Sequence, residues 1–206
     1  MKRALIVIDV QNEYVTGTMP IKYPSLDVSL PNIGAAMDAA TLAGIPVVVV
    51  QHLSPEDSPI FARGSDGVAL HESVAGRAFD HLVEKALPSS FAGTDLGDWL
   101  AAREIDTIAI VGYMTQHCDE STARDAVHRG LAVEFLSDAT GTLDMANESG
   151  VLAAKDLHNA VLAVMQSGFA AVATTEEWLA AIDGGPALVR SNIVASLRPV
   201  ATQPAS

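Results

Sequence analysis

Short runs of β-branched, apolar residues alternate with longer alanine-rich segments along most of this chain. Runs that lack a polar face are typical of parallel strands that helices cover on both sides of a sheet. Six strands are predicted, at residues 4–8, 47–50, 79–85, 107–111, 131–136 and 170–173, of which 79–85 alternates more loosely. The alternation therefore predicts an α/β fold built on a six-stranded, mainly parallel sheet.

Helices and one long loop are predicted between these strands. Helix-periodic segments lie at residues 33–43, 94–102, 118–129 and 147–167, and a glycine follows the end of three of them. Residues 54–67, SPEDSPIFARGSDG, predict a loop that is long enough to suggest a functional role. Clear periodicity is lost after Trp178. We therefore expect one domain over residues 1–185, and an extension over residues 186–206 that either frays or packs on a neighbouring subunit.

Charge and cysteine content argue against several classes of protein. The 206 residues include 12 Lys and Arg against 25 Asp and Glu, which gives a net charge of −13. Nucleic acids and anionic membranes both require clustered positive charge. No segment reaches the ~18 consecutive apolar residues of a membrane span. Cys118 is the only cysteine, which excludes an internal disulfide and fits a reducing compartment. We therefore expect a cytoplasmic protein with neither nucleic acid nor membrane as its partner.

Three reactive side chains follow or end predicted strands. Asp9 follows the first strand, Lys85 ends the third, and Cys118 lies at the start of the helix after the fourth. Ligands of an open parallel sheet bind outside the carboxyl ends of its strands, so one pocket could hold all three residues. A helix N-terminus and a nearby ammonium both lower the pKa of a thiol. Asp9 could take the thiol proton while Lys85 holds the two groups together, which predicts acyl transfer to water.

Each of these residues also has an ordinary structural explanation. A lone cysteine is usually a small buried hydrophobe, an aspartate at a strand end is often a turn residue, and a lone lysine is normally solvated. Their joint placement at three strand ends favours the catalytic interpretation. Backbone N–H groups of the turn at residues 113–118 would then face a developing oxyanion.

Three sequence segments are similar to those of one enzyme superfamily. The segments ALIVIDVQNEYVTG, EKALPSSFAGTDLGDWL and IVGYMTQHCDESTARDAVHRG carry the patterns D-x-Q, K-x-x-x-S-x-F-x-x-T and G-x-x-T-x-x-C. Together they resemble the isochorismatase-like cysteine hydrolases, which include the nicotinamidases. The resemblance covers residues 4 to about 175 in the same order. It implies that residues 1–185 form an isochorismatase-like hydrolase domain with a Rossmann-like, three-layer α/β/α sandwich.

The resemblance also implies a catalytic mechanism. The triad would be Asp9, Lys85 and Cys118, and a thioester would form on Cys118. A cis peptide bond would precede Met114, whose N–H would form the oxyanion hole with that of Cys118. The substrate would be a small molecule with a non-peptide C–N bond, in an amide, carbamoyl or ureido group. No cofactor is implied, and we expect a homo-oligomer, either a dimer or a tetramer.

Substrate-binding residues are expected near the triad. The candidates are Gln11, Tyr14, Phe61 and Tyr113, although Tyr14 is about as easily explained as a core aromatic. Acidic residues at Glu13, Asp119 and Glu120 are expected near the mouth of the pocket, where they would favour a neutral or cationic amide. A solvated helix N-terminus explains Asp119 and Glu120 equally well.

The sequence departs from nicotinamidases at the metal-binding positions. An Asp-x-His pair is missing after the second strand, where the chain reads VVVVQHLSPEDS. His52 and His71 remain, but two histidines without a carboxylate at ligand spacing make a weak metal site. We therefore expect no metal, and we expect both histidines to bond loop backbone. Two alternatives stay open, an isochorismatase-type hydrolase of another bond and a catalytically silent family member that acts as a binding subunit.

Overall fold

A computed structural model describes residues 1–197 of the chain. The strands are β1 (Arg3–Ile8), β2 (Val47–His52), β3 (His81–Lys85), β4 (Thr107–Tyr113), β5 (Ala132–Gly141), β6 (Met145–Asn147), β7 (Gly150–Leu152) and β8 (Ala171–Ala173). The helices are α1 (Leu26–Leu42), α2 (Glu72–Ala75), α3 (Leu96–Ala102), α4 (Glu120–His128), α5 (Ala154–Gln166), α6 (Thr175–Ile182) and α7 (Ile193–Ser196).

Six strands form a single parallel sheet in the order β3-β2-β1-β4-β5-β8. Every residue of β4 is buried, as is all of β1 after its first residue, because helices cover both faces of the sheet. Alternate side chains of β1 enter different cores. Ile6 and Ile8 pack with α3, α4 and α5, whereas Leu5 and Val7 pack with α1 and α6. The predicted three-layer α/β/α sandwich is confirmed.

The chain order of the strands reverses at β1, whose neighbours are β2 and β4. The crossover connections on the two sides of β1 therefore leave the sheet in opposite directions, which opens a crevice at the carboxyl ends of these strands. Asp9, Lys85 and the segment that carries Cys118 all lie at this edge. The topology thus places the candidate site before any side chain is considered.

The helix predicted at residues 147–167 is wrong over its first turns. Residues 145–152 form the antiparallel hairpin β6–β7, and α5 begins only at Ala154. Asn147 accepts a hydrogen bond from the Ser149 amide (2.8 Å), and Gly150 has a φ of 150°. The sequence Asn-Glu-Ser-Gly therefore closes a turn by local side-chain bonding, which competes with helix formation.

Helix α1 begins at Leu26, seven residues before the predicted start at residue 33. Pro31 lies inside the helix and cannot donate the backbone hydrogen bond of its position. The lost bond is compensated by packing, since Ile33 and Met37 are fully buried against the sheet. Tertiary burial here outweighs the local cost of a proline.

Part of the predicted extension packs on the domain. The Gln166 amide donates to the Val189 carbonyl (3.1 Å), and the Arg190 guanidinium donates to that of Gly168 (3.0 Å). Positions 198–206 of the extension lie outside the described residues. Among residues 1–197, no helix has the length and apolar character that crossing a membrane requires.

Candidate active site

The three predicted triad residues meet in one buried cluster. The Lys85 Nζ atom lies 2.7 Å from the Asp9 Oδ2 atom and 3.2 Å from the Cys118 Sγ atom. A carboxylate oxygen of Asp9 and the Cys118 sulfur lie within 4.8 Å of each other. Asp9 is fully buried, and Lys85 and Cys118 are only 4% and 6% exposed. The end of the sheet therefore brings together a thiol, a carboxylate and an amine.

Local backbone geometry lets these side chains converge. Asp9 has a φ of 51°, a left-handed conformation that aspartate tolerates better than most residues and that is common at functional sites. Cys118 lies in a single π-helical turn, Thr115–Asp119, that leads into α4. Gly112 has a φ of 122°, and a Cβ atom there would meet the Ile8 carbonyl oxygen at 2.0 Å. Only glycine lets β4 approach β1 this closely beside the site.

Asp9 and Lys85 form a buried ion pair. Burial by itself would lower the pKa of Lys85, but Asp9 and Cys118 outweigh it and the pKa is raised. Lys85 is therefore an ammonium. Within the described residues, neither carboxylate oxygen of Asp9 has a well-aligned hydrogen bond besides this ion pair. The carboxylate consequently keeps free lone pairs that can accept a proton.

Cys118 differs from the sequence-based expectation of a lowered pKa. Burial raises the pKa of the thiol, Asp9 raises it further, and Lys85 opposes them only in part. The sequence indicated the ammonium and the helix N-terminus, but it could not indicate burial. The resting group is therefore a thiol.

The turn before Cys118 is tied to helix α5, which packs in the same layer as α4. The Tyr113–Met114 peptide bond is cis, at the position that the sequence resemblance implies. The Thr115 hydroxyl contacts the His158 Nδ1 atom of α5 (2.8 Å). The His158 Nε2 atom bonds the Ser137 carbonyl (2.9 Å), and a neutral ring that donates there accepts from Thr115. Burial lowers the pKa of His158 and keeps it neutral.

Aromatic rings line the side of the site next to Asp9. Tyr14 makes edge-to-face contacts with Phe61 (5.2 Å between centroids) and with Tyr113 (5.7 Å). The Tyr113 hydroxyl bonds the Ser29 hydroxyl of α1 (2.7 Å), so it points away from the cluster into the core. Tyr14 and Phe61 are 2% and 4% exposed and remain the aromatic residues near the triad.

Gln11, another expected substrate contact, is fully buried. Its amide nitrogen donates to the carbonyls of His52 (2.9 Å) and Val68 (2.7 Å). Its amide oxygen accepts from the His52 N–H (2.9 Å). The side chain therefore joins the end of β2 to the segment that contains Val68, and we expect Gln11 to act on substrate only indirectly.

His52 is a site residue that the sequence analysis placed elsewhere. It was expected to bond loop backbone, but its Nδ1 atom lies 3.2 Å from the Lys85 Nζ atom and its ring packs on Phe61. Burial and Lys85 lower the pKa of His52. The sequence did contain a signal for the position of His52. This residue ends β2, and β2 lies between β1 and β3, whose carboxyl ends carry Asp9 and Lys85. His71 does bond backbone, since its Nδ1 atom accepts from the Ser73 N–H of α2 (3.2 Å).

The expected acidic mouth is absent from the described residues. Asp119 is fully buried, Glu13 is 5% exposed and accepts hydrogen bonds from Thr18, and Glu120 pairs with Arg124 (2.6 Å). Burial, together with Asp9, raises the pKa of Asp119 well above its usual value. Asp119 follows Cys118 directly in the π-helical turn, which rotates its side chain inward instead of toward solvent.

Potential metal ligands converge at the same place. Carboxylate, imidazole and thiol atoms of Asp9, His52 and Cys118 lie within 4.8 Å of one another. The Lys85 ammonium contacts all three residues, at 2.7, 3.2 and 3.2 Å. The position that a small cation would take is therefore filled by Lys85.

Comparison with known proteins gives a consistent result. The family model described as the isochorismatase domain matches residues 3–177. A solved isochorismatase-type structure from Burkholderia xenovorans LB400 is 60% identical, with a TM-score of 0.93, and covers 95% of this chain and 94% of its own. A cysteine hydrolase structure from Pseudomonas syringae pv. phaseolicola is 31% identical, with a TM-score of 0.83, over 89% and 93%. The ureidoacrylate amidohydrolase RutB of Methylobacterium radiotolerans is 30% identical over 80% of this chain and 73% of its own.

Proposed function

This chain belongs to the isochorismatase family of hydrolases, and from that premise we propose that it cleaves a non-peptide C–N bond of a small molecule by cysteine catalysis. The bond would belong to an amide, carbamoyl or ureido group. The observation that carries the proposal is the Lys85 ammonium in contact with both Asp9 and Cys118. Two alternatives would not require this arrangement of Asp9, Lys85 and Cys118. One is a family member that hydrolyses another bond without a thiol, and the other is a catalytically silent binding subunit.

The first half of the reaction acylates the enzyme. Asp9 removes the thiol proton, and the Cys118 sulfur forms a bond to the carbonyl carbon of the substrate. The carbonyl oxygen becomes an oxyanion, which the backbone N–H groups of Met114 and Cys118 bind. Asp9 then returns its proton to the departing nitrogen, the C–N bond breaks, and a thioester remains on Cys118. Lys85 stays protonated throughout and stabilises the thiolate and the carboxylate.

The second half returns the free enzyme. A water molecule loses a proton to Asp9 and attacks the thioester carbon, again with the oxyanion between the two N–H groups. The C–S bond breaks, the carboxylic or carbamic acid leaves, and the sulfur takes the proton from Asp9. The cycle needs neither a cofactor nor a redox step.

The walls of the site favour a small, largely apolar substrate. Tyr14 and Phe61 are the aromatic residues near the triad, and Cys118 is only 6% exposed. A folded peptide chain would not fit such an opening, whereas a small amide beside an aromatic ring would. The names of two relatives also support amide hydrolysis by a cysteine enzyme, since RutB is an amidohydrolase and the Pseudomonas syringae protein is a cysteine hydrolase. We also propose that the protein is cytoplasmic and forms a homo-oligomer, either a dimer or a tetramer.

Ammonia release from a panel of small amides, ureas and carbamoyl compounds tests the proposal. At least one compound should release ammonia with the wild-type protein and not with Cys118→Ala. Brief reaction followed by acid quenching should leave the acyl group on the peptide that contains Cys118, as seen by mass spectrometry. An active substrate that yields equal ammonia with Cys118→Ala would refute cysteine catalysis.

A further inference from the structure

The Lys85 ammonium has three hydrogens and three acceptors around it. Two are the triad groups, the Asp9 Oδ2 atom at 2.7 Å and the Cys118 Sγ atom at 3.2 Å. The third is the His52 Nδ1 atom at 3.2 Å. An ammonium has three N–H donors and accepts no hydrogen bond, and here it combines hydrogen bonds to Cys118 and His52 with the ion pair to Asp9. Without His52, one N–H of a buried cation would lack a partner.

The direction of the Lys85–His52 contact determines the state of the histidine. Because Lys85 can only donate, the Nδ1 atom accepts and the ring proton resides on Nε2. A doubly protonated ring would instead point an N–H at the ammonium. Burial and Lys85 both lower the pKa of His52, while Asp9 opposes them in part. The contact therefore exists only in the neutral form of the ring.

His52 is held where it can perform this role. Its backbone N–H and carbonyl are both bonded to the Gln11 side chain, at 2.9 Å each. Its ring packs on Phe61, with centroids 5.1 Å apart. The charged or titratable groups that face it are Asp9 from the end of β1, Lys85 from β3 and Cys118 from the π-helical turn. Phe61 and Gln11, which also contact His52, carry no charge.

We propose that His52 is a positioning residue that fixes Lys85 between Asp9 and Cys118, and that protonation of His52 in mildly acidic solution releases Lys85 and lowers the reactivity of the thiol. The catalytic meaning rests on the function proposed above, but the effect on the thiol does not require a substrate. Cys118 is the only cysteine, so alkylation by iodoacetamide reports on this site alone.

The experiment compares alkylation rates of Cys118 between pH 5 and pH 9 in the wild type, His52→Asn and His52→Leu. An Asn side chain offers an acceptor near the Nδ1 position and does not titrate, whereas Leu offers none. At pH 7.5 we expect His52→Asn to stay within about threefold of the wild type and His52→Leu to fall about tenfold or more. The wild-type rate should also fall, relative to the rate of His52→Asn, as the pH is lowered below the ordinary pKa of histidine, about 6.5.

His71→Asn is the matched control, because this neighbouring histidine bonds Ser73 and not the cluster. It should retain the wild-type rate and pH profile. Equal rates in the wild type and His52→Leu, or an acidic fall that persists unchanged in His52→Asn, would overturn the proposal. If His52→Leu does not fold, the profile of His52→Asn decides alone. Because labelling needs no substrate, failure of the amidohydrolase proposal would leave these outcomes readable.

Discussion

The ammonium nitrogen of Lys85 lies 2.7 Å from a carboxylate oxygen of Asp9, and neither side chain is exposed to solvent. Removing two charges from water costs several kcal/mol for each ion, which their attraction repays only with good geometry. An apolar pair would fill the same space at a lower cost. The pair is therefore best explained by the chemistry that it supports beside Cys118.

Removal of the nucleophile should abolish turnover without loss of the fold. Cys118→Ala deletes one sulfur atom from a core that also contains Ile8, Ile110 and Ala123, at a cost of about 1 kcal/mol. No other cysteine can form the thioester. Ammonia release and urea unfolding should be measured on the same preparation. Residual turnover above the uncatalysed rate would contradict the assignment of Cys118.

Removing one member of the buried ion pair should destabilise the protein more than removing both members. Lys85→Met leaves the Asp9 charge unpaired and should cost about 3–5 kcal/mol of unfolding free energy. The double variant Asp9→Asn with Lys85→Met removes both charges, and Asn tolerates the positive φ at position 9. It should recover part of that loss in a double-mutant cycle. Strictly additive losses would mean that the two charges do not interact.

Asp119→Asn should stabilise the protein at neutral pH but not in acid. An unfolded aspartate ionises near pH 4, whereas burial first and Asp9 second raise the pKa of Asp119 in the folded state. Between the two pKa values the unfolded chain has lost a proton that the folded chain keeps. The contribution of Asp119 to stability is therefore fully present below about pH 4 and falls by about 1.4 kcal/mol per pH unit above it, until the folded pKa is reached.

Urea unfolding at pH 4 and pH 7.5 tests the direction of this pH dependence of stability. The stability difference between Asp119→Asn and the wild type should be small at pH 4 and should favour the variant at pH 7.5. Glu120→Gln is the control, because Glu120 is the next residue and forms a partly exposed pair with Arg124 that is worth no more than about 0.5 kcal/mol. A difference that does not change with pH would contradict the buried state of Asp119.

Activity should survive exhaustive chelation. Lys85 fills the space between Asp9, His52 and Cys118, and the proposed steps use a thiolate, a carboxylate and backbone donors. Turnover of a confirmed substrate should be unchanged after dialysis against EDTA. Loss of turnover that added zinc, iron or manganese restores would show that a metal takes part.

Tyr113→Phe should affect stability and leave catalysis unchanged. Among residues 1–197, the Tyr113 hydroxyl bonds only the buried Ser29 hydroxyl, and its loss should cost about 1–2 kcal/mol because Ser29 then loses a partner. Adding Ser29→Ala should recover part of that cost. The value of kcat/KM should stay within twofold of the wild type. A large rise in KM would place Tyr113 in contact with substrate.

Local sequence determined the sheet and the triad. Continuous apolar runs specify strands buried on both faces, and the polar residue after such a run must lie at a strand end. Asp9, Lys85 and Cys118 could therefore be located at one edge of the sheet from strand positions alone. The motifs added the family and the cis bond before Met114. These features depend on neighbours in the chain, which a sequence displays directly.

Tertiary structure alone decided the environment of each side chain. Burial turned Asp119 from an expected surface residue into a buried carboxyl and raised the pKa of Cys118 instead of lowering it. Contacts across 33 residues joined His52 to Lys85, and contacts across 43 residues joined Thr115 to His158. Solvation and hydrogen bonding depend on which distant residues surround a group in space, and a linear pattern of residue types contains no measure of that proximity.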